Sequence, residues 1–216
     1  IDNDPPIDGV QGVFEILRAA GLEPGEPKYE FWLTGDDVKF ADNFIRENGL
    51  DGARILGLNP GVAWESKQWP LEHFAALADL AQSELGAKVI FFGNKAEAER
   101  VEKISSMMKT APPASAAGKT TIRQAAAIIK RCSAFVSNDS GLMHISAMCR
   151  VPTIGIFGPT SPELSGPSGP GHKTRCLALP CAPCYKHSCP IHTLDCLNEI
   201  PPSDVFEDVK EFFGTR

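Results

Sequence analysis

Long apolar runs are missing from this 216-residue sequence, and none approaches the ~18 residues that a membrane-spanning helix needs. The opening residues lack the pattern of a secretory leader, so the expectation is a cytosolic protein. A basic excess is missing too. Twenty-one Lys and Arg against 27 Asp and Glu leave a formal charge of -6, and the cations are scattered, which argues against nucleic acid as the partner. The turn after the first strand-like run reads Asn59-Pro60-Gly61-Val62-Ala63-Trp64, without the spaced glycines that a dinucleotide-dependent oxidoreductase carries there. Ala117-Gly118-Lys119-Thr120-Thr121 lacks the glycine that a nucleotide-triphosphate loop needs five positions earlier, where Pro113 stands. Thr120 reads instead as the cap of the helix that follows. A starting methionine and an ordered first strand are lacking at Ile1-Asp2-Asn3-Asp4-Pro5-Pro6, so the sequence is expected to begin inside a longer chain.

What is present is the composition of a soluble globular protein, with 43% apolar and 22% charged residues. Short apolar runs at Arg54–Asn59, Lys88–Phe92, Ala134–Ser137 and Thr153–Phe157 read as strands. Stretches of helical period fall between them at Leu71–Leu85, Lys95–Met108, Thr121–Arg131 and Gly141–Cys149. Such alternation predicts a mostly parallel, Rossmann-like α/β sheet with helices on both faces. Upstream, helices are expected at Val10–Ala20 and Asp36–Asn48, with Lys28–Leu33 as an edge strand or extended linker. These first 50 or so residues could belong to a neighbouring module or wrap back on this one. The organisation read from the sequence is 1–51 as linker or helical remnant and 52–216 as the α/β domain. Pro112-Pro113 and the small residues after them, and Pro159–Pro170, read as loops; a strand is expected over Arg175–Leu179 and a last helix over Asp204–Phe213.

The segment with the most chemistry is Ser137-Asn138-Asp139-Ser140-Gly141-Leu142-Met143-His144. It joins a buried strand to a helix, and the amino end of a helix at the carboxyl edge of a parallel sheet is where anions bind. Pro60–Trp69, Gly93–Glu97 and Gly158–Thr160 reach the same edge, and Lys67 supplies a cation on a short loop. Together they suit a diphosphate. Read alone, Asp139 or Ser140 is equally a helix cap, Lys67 a solvated loop lysine, and His144 a core histidine. Five cysteines, Cys176, Cys181, Cys184, Cys189 and Cys196, crowd one stretch. Cys181, Cys184, Cys189 and Cys196 offer four thiolates for a structural zinc or iron-sulfur site, with His187 and His192 as substitutes. Free thiols in a cytosolic loop are the competing reading, and no metal is assigned.

The series Asn59-Pro60-Gly61, Lys67-Gln68-Trp69-Pro70, Gly93 with Glu97, Asn138 to His144 and Phe157-Gly158-Pro159-Thr160 resembles the C-terminal half of the ADP-heptose:lipopolysaccharide heptosyltransferases, glycosyltransferase family 9. Pro180-Cys181-Ala182-Pro183-Cys184 through Cys196 and Ile200-Pro201 resembles that family's tail. The resemblance implies a GT-B enzyme of two Rossmann-like domains, of which this chain is the C-terminal, donor-binding one. It implies that Lys67 and Asp139 serve catalysis, Lys67 against the donor phosphates and Asp139 at the heptose. Glu97 would hold ribose hydroxyls, Ser140 and Gly141 the diphosphate, and Gly118 to Thr121, Thr120 included, the adenine. Gly61 would let the backbone approach the ligand, His144 would support the loop, and Thr160 would lie near the phosphates. The partners implied are ADP-heptose and the lipopolysaccharide core, in the cytoplasm or as a peripheral protein at the inner face of the membrane, with no cofactor. The acceptor-binding N-terminal domain and its aspartate base would lie outside the chain, which alone is expected to bind donor without transferring it. An epimerase-like nucleotide-sugar enzyme and a noncatalytic nucleotide-binding domain are the alternatives.

Overall fold

The computed structural model describes residues 9–214; the expectation for Ile1–Pro6 lies outside them. Six strands, β1 (Ile55–Asn59), β2 (Lys88–Phe91), β3 (Ala114–Ser115), β4 (Ala134–Asn138), β5 (Thr153–Ile156) and β6 (Lys173–Arg175), form one sheet in the order β3-β2-β1-β4-β5-β6. Every pairing is parallel. This is the Rossmann strand order, whose direction of winding reverses between the first and fourth strands, opening a crevice beyond their carboxyl ends.

Alternating side chains send each strand's apolar residues to opposite faces. Leu56, Leu58, Val89, Phe91, Val136, Ile154 and Ile156 join a core with α3 (Leu71–Leu85), α4 (Ala98–Met107) and α9 (Pro202–Gly214). Ile55, Ile90, Phe92 and Phe135 join a second core with α2 (Gly35–Glu47) and α5 (Ile122–Ile129). α2 carries a capping box, Thr34 with Asp37, and packs its Ala41, Phe44 and Ile45 into that second core. α1 (Gly9–Ala19) leaves Val13 and Ile16 exposed, and Lys28–Leu33 forms no strand.

Several elements depart from the sequence reading. β3 was expected as loop; it has two residues and small side chains, too short to show periodicity, and its pairing with Ile90 and Phe91 defines it. β6 lies at Lys173–Arg175 instead of Arg175–Leu179, because register with Ile154 to Ile156 selects the polar segment. Short helices α7 (Pro162–Ser165) and α8 (Asp195–Asn198) interrupt stretches read as irregular. α5 is capped by Thr121, not Thr120: the Thr121 hydroxyl accepts from the Gln124 amide, and the Gln124 side chain accepts from the Thr121 amide.

Candidate functional site at the sheet switch point

β1 and β4 are register neighbours with Asn59 opposite Ser137, so the residues just past both strands meet at the crevice. A cavity of about 550 Å³ opens there, walled by Asn59, Gly61, Lys67, Glu97, Thr120, Ile122, Asp139, Ser140, Gly141 and His144 among others. Of Gly61, Lys67, Glu97, Thr120, Asp139, Ser140, Gly141, His144 and Thr160, Thr160 alone is not on the wall. It is buried behind Asp139, and its hydroxyl donates to Asp139 Oδ2 at 2.7 Å.

The Lys67 ammonium donates to the same oxygen at 2.5 Å; the two side chains are 15% and 6% exposed, so this ion pair is shielded from water. The loop that carries Lys67 is fixed from several sides. Asn138 Oδ1 accepts from the Trp69 amide at 3.2 Å and Asn138 Nδ2 donates to the Pro60 carbonyl at 3.1 Å. The fully buried Trp69 indole donates to the Ile200 carbonyl. Lys67 Nζ lies 4.4 Å from the centre of the Trp64 ring, a cation–π contact. Trp64 stacks on His187 at 4.0 Å. Ser66 donates through its amide to the His187 carbonyl and through its hydroxyl to the Lys186 carbonyl, so the cysteine-rich segment straps the lysine loop in place.

Glu97 closes the opposite wall. Its Oε2 accepts from the Asn94 amide at 2.7 Å in a capping box, and a Cβ on Gly61 would sit 2.4 Å from its Oε1, so a larger residue there would push the carboxylate out of its place. Gly118, at φ 69°, turns the chain so that its amide reaches the Gly93 carbonyl, bringing Thr120 and Thr121 to the wall. Ile122 and Ala125 give that end an apolar surface; Ile122 is 65% exposed. On α6 (Gly141–Met148), Ser140 is the N-cap residue yet makes no side-chain cap. The positive end of the helix therefore faces the cavity with the Gly141 and Leu142 amides unpaired among the described residues. Burial holds His144 below the usual histidine value; Asp139 opposes this and Lys67 adds to it, so the imidazole is neutral at pH 7.

Residues 10–194 match the profile described as Glycosyltransferase family 9 (heptosyltransferase). The chain belongs to this family. Lipooligosaccharide heptosyltransferase 2 of Campylobacter jejuni is 35% identical over 178 residues, 81% of this chain and 55% of that protein. Lipopolysaccharide heptosyltransferase 2 of Escherichia coli is 36% identical over 129 residues, 58% and 36% of the two chains. The solved structure of E. coli ADP-heptose lps heptosyltransferase II superposes with a TM-score of 0.71 at 26% identity, covering 86% of this chain and 54% of that one. A family 9 glycosyltransferase from Veillonella parvula gives 0.85 at 25% identity, covering 100% and 62%. The chain thus spans about half the length of the relatives it matches.

In this family 9 chain all seven cysteines are free. Cys181, Cys184, Cys189 and Cys196 share the wall of a small cavity of about 20 Å³. Burial pushes Cys196 up to about 11, and its three neighbours add to the shift. Backbone amides, Leu194 foremost, hold Cys189 below the usual thiol value. Among the described residues no group of three or more His, Cys, Asp or Glu is placed to hold a metal ion, and no helix is long and apolar enough to cross a membrane. The sequence reading gives no role to Asn59, Trp64 or Asn138 and takes His187 only as a substitute metal ligand, where the structure stacks it on Trp64. Asn59 and Trp64 lie inside motifs that were noticed, but their roles depend on partners ~80 to 120 positions away in the chain.

Proposed function

We propose that this chain is the donor-binding domain of a heptosyltransferase, taking ADP-heptose for transfer to a lipopolysaccharide core acceptor. The observation that carries the reading is the meeting of the shielded Lys67 and Asp139 pair with the uncapped end of α6 on one cavity at the switch point. Transfer requires the sugar's anomeric carbon to leave a diphosphate as an acceptor hydroxyl attacks it. The leaving group gains negative charge, which a lysine and fixed backbone amides stabilise without any cofactor. Lys67 and the Gly141 and Leu142 amides take that role. Asp139 faces the sugar and holds Lys67 in place before the donor arrives. Ile122 and Ala125 form the face for the adenine, with Thr120 and Thr121 beside it, and Glu97 receives ribose hydroxyls. His144 supports the loop as a neutral group, and Thr160 fixes Asp139.

Residues 52–216 make up this donor domain, with α2 from the preceding segment packed into its second core. The acceptor-binding half and the base that deprotonates the acceptor are assigned to the part of the relatives that this chain does not span. The chain by itself then binds donor without transferring the sugar, working in the cytoplasm or against the inner face of the membrane. Calorimetric titration with ADP-heptose, ADP and UDP-glucose tests the reading. Binding of the two adenosine ligands over the uridine one is expected. Preference for UDP-glucose, or epimerised sugar appearing without any acceptor, would overturn it.

A further inference from the structure

Ser140 stands where a serine ordinarily turns its oxygen onto the second or third amide of the helix. Instead its Oγ lies 2.8 Å from Asn59 Nδ2 and 3.1 Å from Ser137 Oγ. Ser137 directs its own proton to the Asn138 carbonyl at 2.6 Å. Both hydrogens of the Asn59 amide are committed, one to Ser137 at 3.0 Å and one to Ser140. Asn59 ends β1, is 2% exposed, and leaves its Oδ1 buried without a hydrogen-bond partner. A buried carbonyl oxygen with no donor weakens the fold. The arrangement therefore disfavours stability at this point while holding one hydroxyl away from one helix end.

We propose that Asn59 is a positioning residue that withholds Ser140 from the end of α6, so that the amide of Leu142, the second of the helix, stays open beside that of Gly141 to the ligand's diphosphate. The proposal rests on reading the cavity as a diphosphate site. A hydroxyl oxygen and a phosphate oxygen compete for the same helix end, and the neutral cap leaves less positive potential for an anion. Freed from Asn59, Ser140 rotates about its Cα–Cβ bond and caps the helix. The ligand must then displace that cap before it binds. Loss of Asn59 therefore acts against affinity through Ser140.

The test is a cycle of four proteins, the unsubstituted chain, Asn59→Ala, Ser140→Ala and the double variant, each titrated with ADP and followed by amide hydrogen exchange without ligand. In Asn59→Ala, ADP affinity is expected to fall about 5-fold, the size of a serine cap that must be displaced. Exchange at the first turn of α6 is expected to slow. In the Ser140→Ala background the Asn59 substitution is expected to change affinity less than 2-fold, because no hydroxyl is left to compete. An equal loss of affinity in both backgrounds overturns the proposal and leaves the diphosphate reading standing. Absence of ADP binding by the unsubstituted chain overturns both. Asn59→Ser, whose hydroxyl ends one bond short of the amide nitrogen that holds both Ser137 and Ser140, releases Ser140 while keeping a polar group in place, and replaces Asn59→Ala if that variant folds poorly.

Discussion

Replacing Lys67 with methionine keeps the stem of the side chain and removes the charge, which separates packing from electrostatics. The pair is close, at 2.5 Å, and both members are largely buried. Removing one member of a buried pair strands the other, at ~3 to 5 kcal/mol. Lys67 keeps some exposure and Asp139 keeps the Thr160 hydroxyl, so the lower end applies, about 3 kcal/mol. For a chain of this size, that lowers the melting temperature by roughly 6 to 12 °C. Lys67→Met with Asp139→Asn strands no charge and should melt within about 4 °C of the unsubstituted chain, since a buried pair is worth little net. ADP affinity should follow a different order. Lys67→Met loses the cation and leaves Asp139 facing the phosphates, a decrease of more than ~30-fold; the double variant loses only the cation, about 10-fold. Asp139→Asn alone frees Lys67 for the phosphates, so ADP binds at least as tightly as before while the advantage of ADP-heptose over ADP shrinks. Calorimetry and thermal unfolding of the four proteins decide the matter. If Lys67→Met melts with the unsubstituted chain, or binds ADP no worse than the double variant, the shielded pair does not govern this site.

Two further expectations concern neighbouring groups. Burial keeps the native His144 pKa below the unfolded value; the unfolded chain therefore takes up a proton first as the pH falls. His144 thus contributes stability that is present above about pH 6.5 and lost as the pH drops through the lower native value. His144→Gln should lose less stability between pH 7 and pH 5 in urea titrations, although His73 and His172, shifted the same way by burial, keep part of the slope. Identical losses in both proteins would refute this. Ile122 exposes 65% of its surface on the cavity wall. Covering about 50 Å² of it with a base yields roughly 1 kcal/mol at ~25 cal/mol per Å², so Ile122→Ser should weaken ADP about 5-fold with little change in melting. Equal affinity would place the base elsewhere.

The α/β alternation was legible because strands buried on both faces read as short apolar runs, and the intervening helices carry their own period and stops. Lys67, Glu97 and Asp139 through His144 were legible because they stand in the segments that directly follow those runs, where the sheet's carboxyl edge must lie. β3 escaped notice because two small residues hold no pattern, and β6 was displaced because strand register is set by the neighbouring strand and not by local composition. Thr120 and Thr121 are equally good caps by residue type; which of them starts α5 depends on the turn at Gly118, and there the Gln124 side chain closes on Thr121.

By itself, then, the sequence determined the layer architecture, the edge at which the site lies and most of the side chains on its wall, since these follow from local periodicity and from the positions of strand ends. Only the tertiary structure decided the pairings: Lys67 with Asp139 across 72 positions, Trp64 on His187, and Asn59 with Ser137 and Ser140. Those contacts join segments distant in the chain, and strand order in the sheet, which no local pattern encodes, is what brings them within hydrogen-bonding reach.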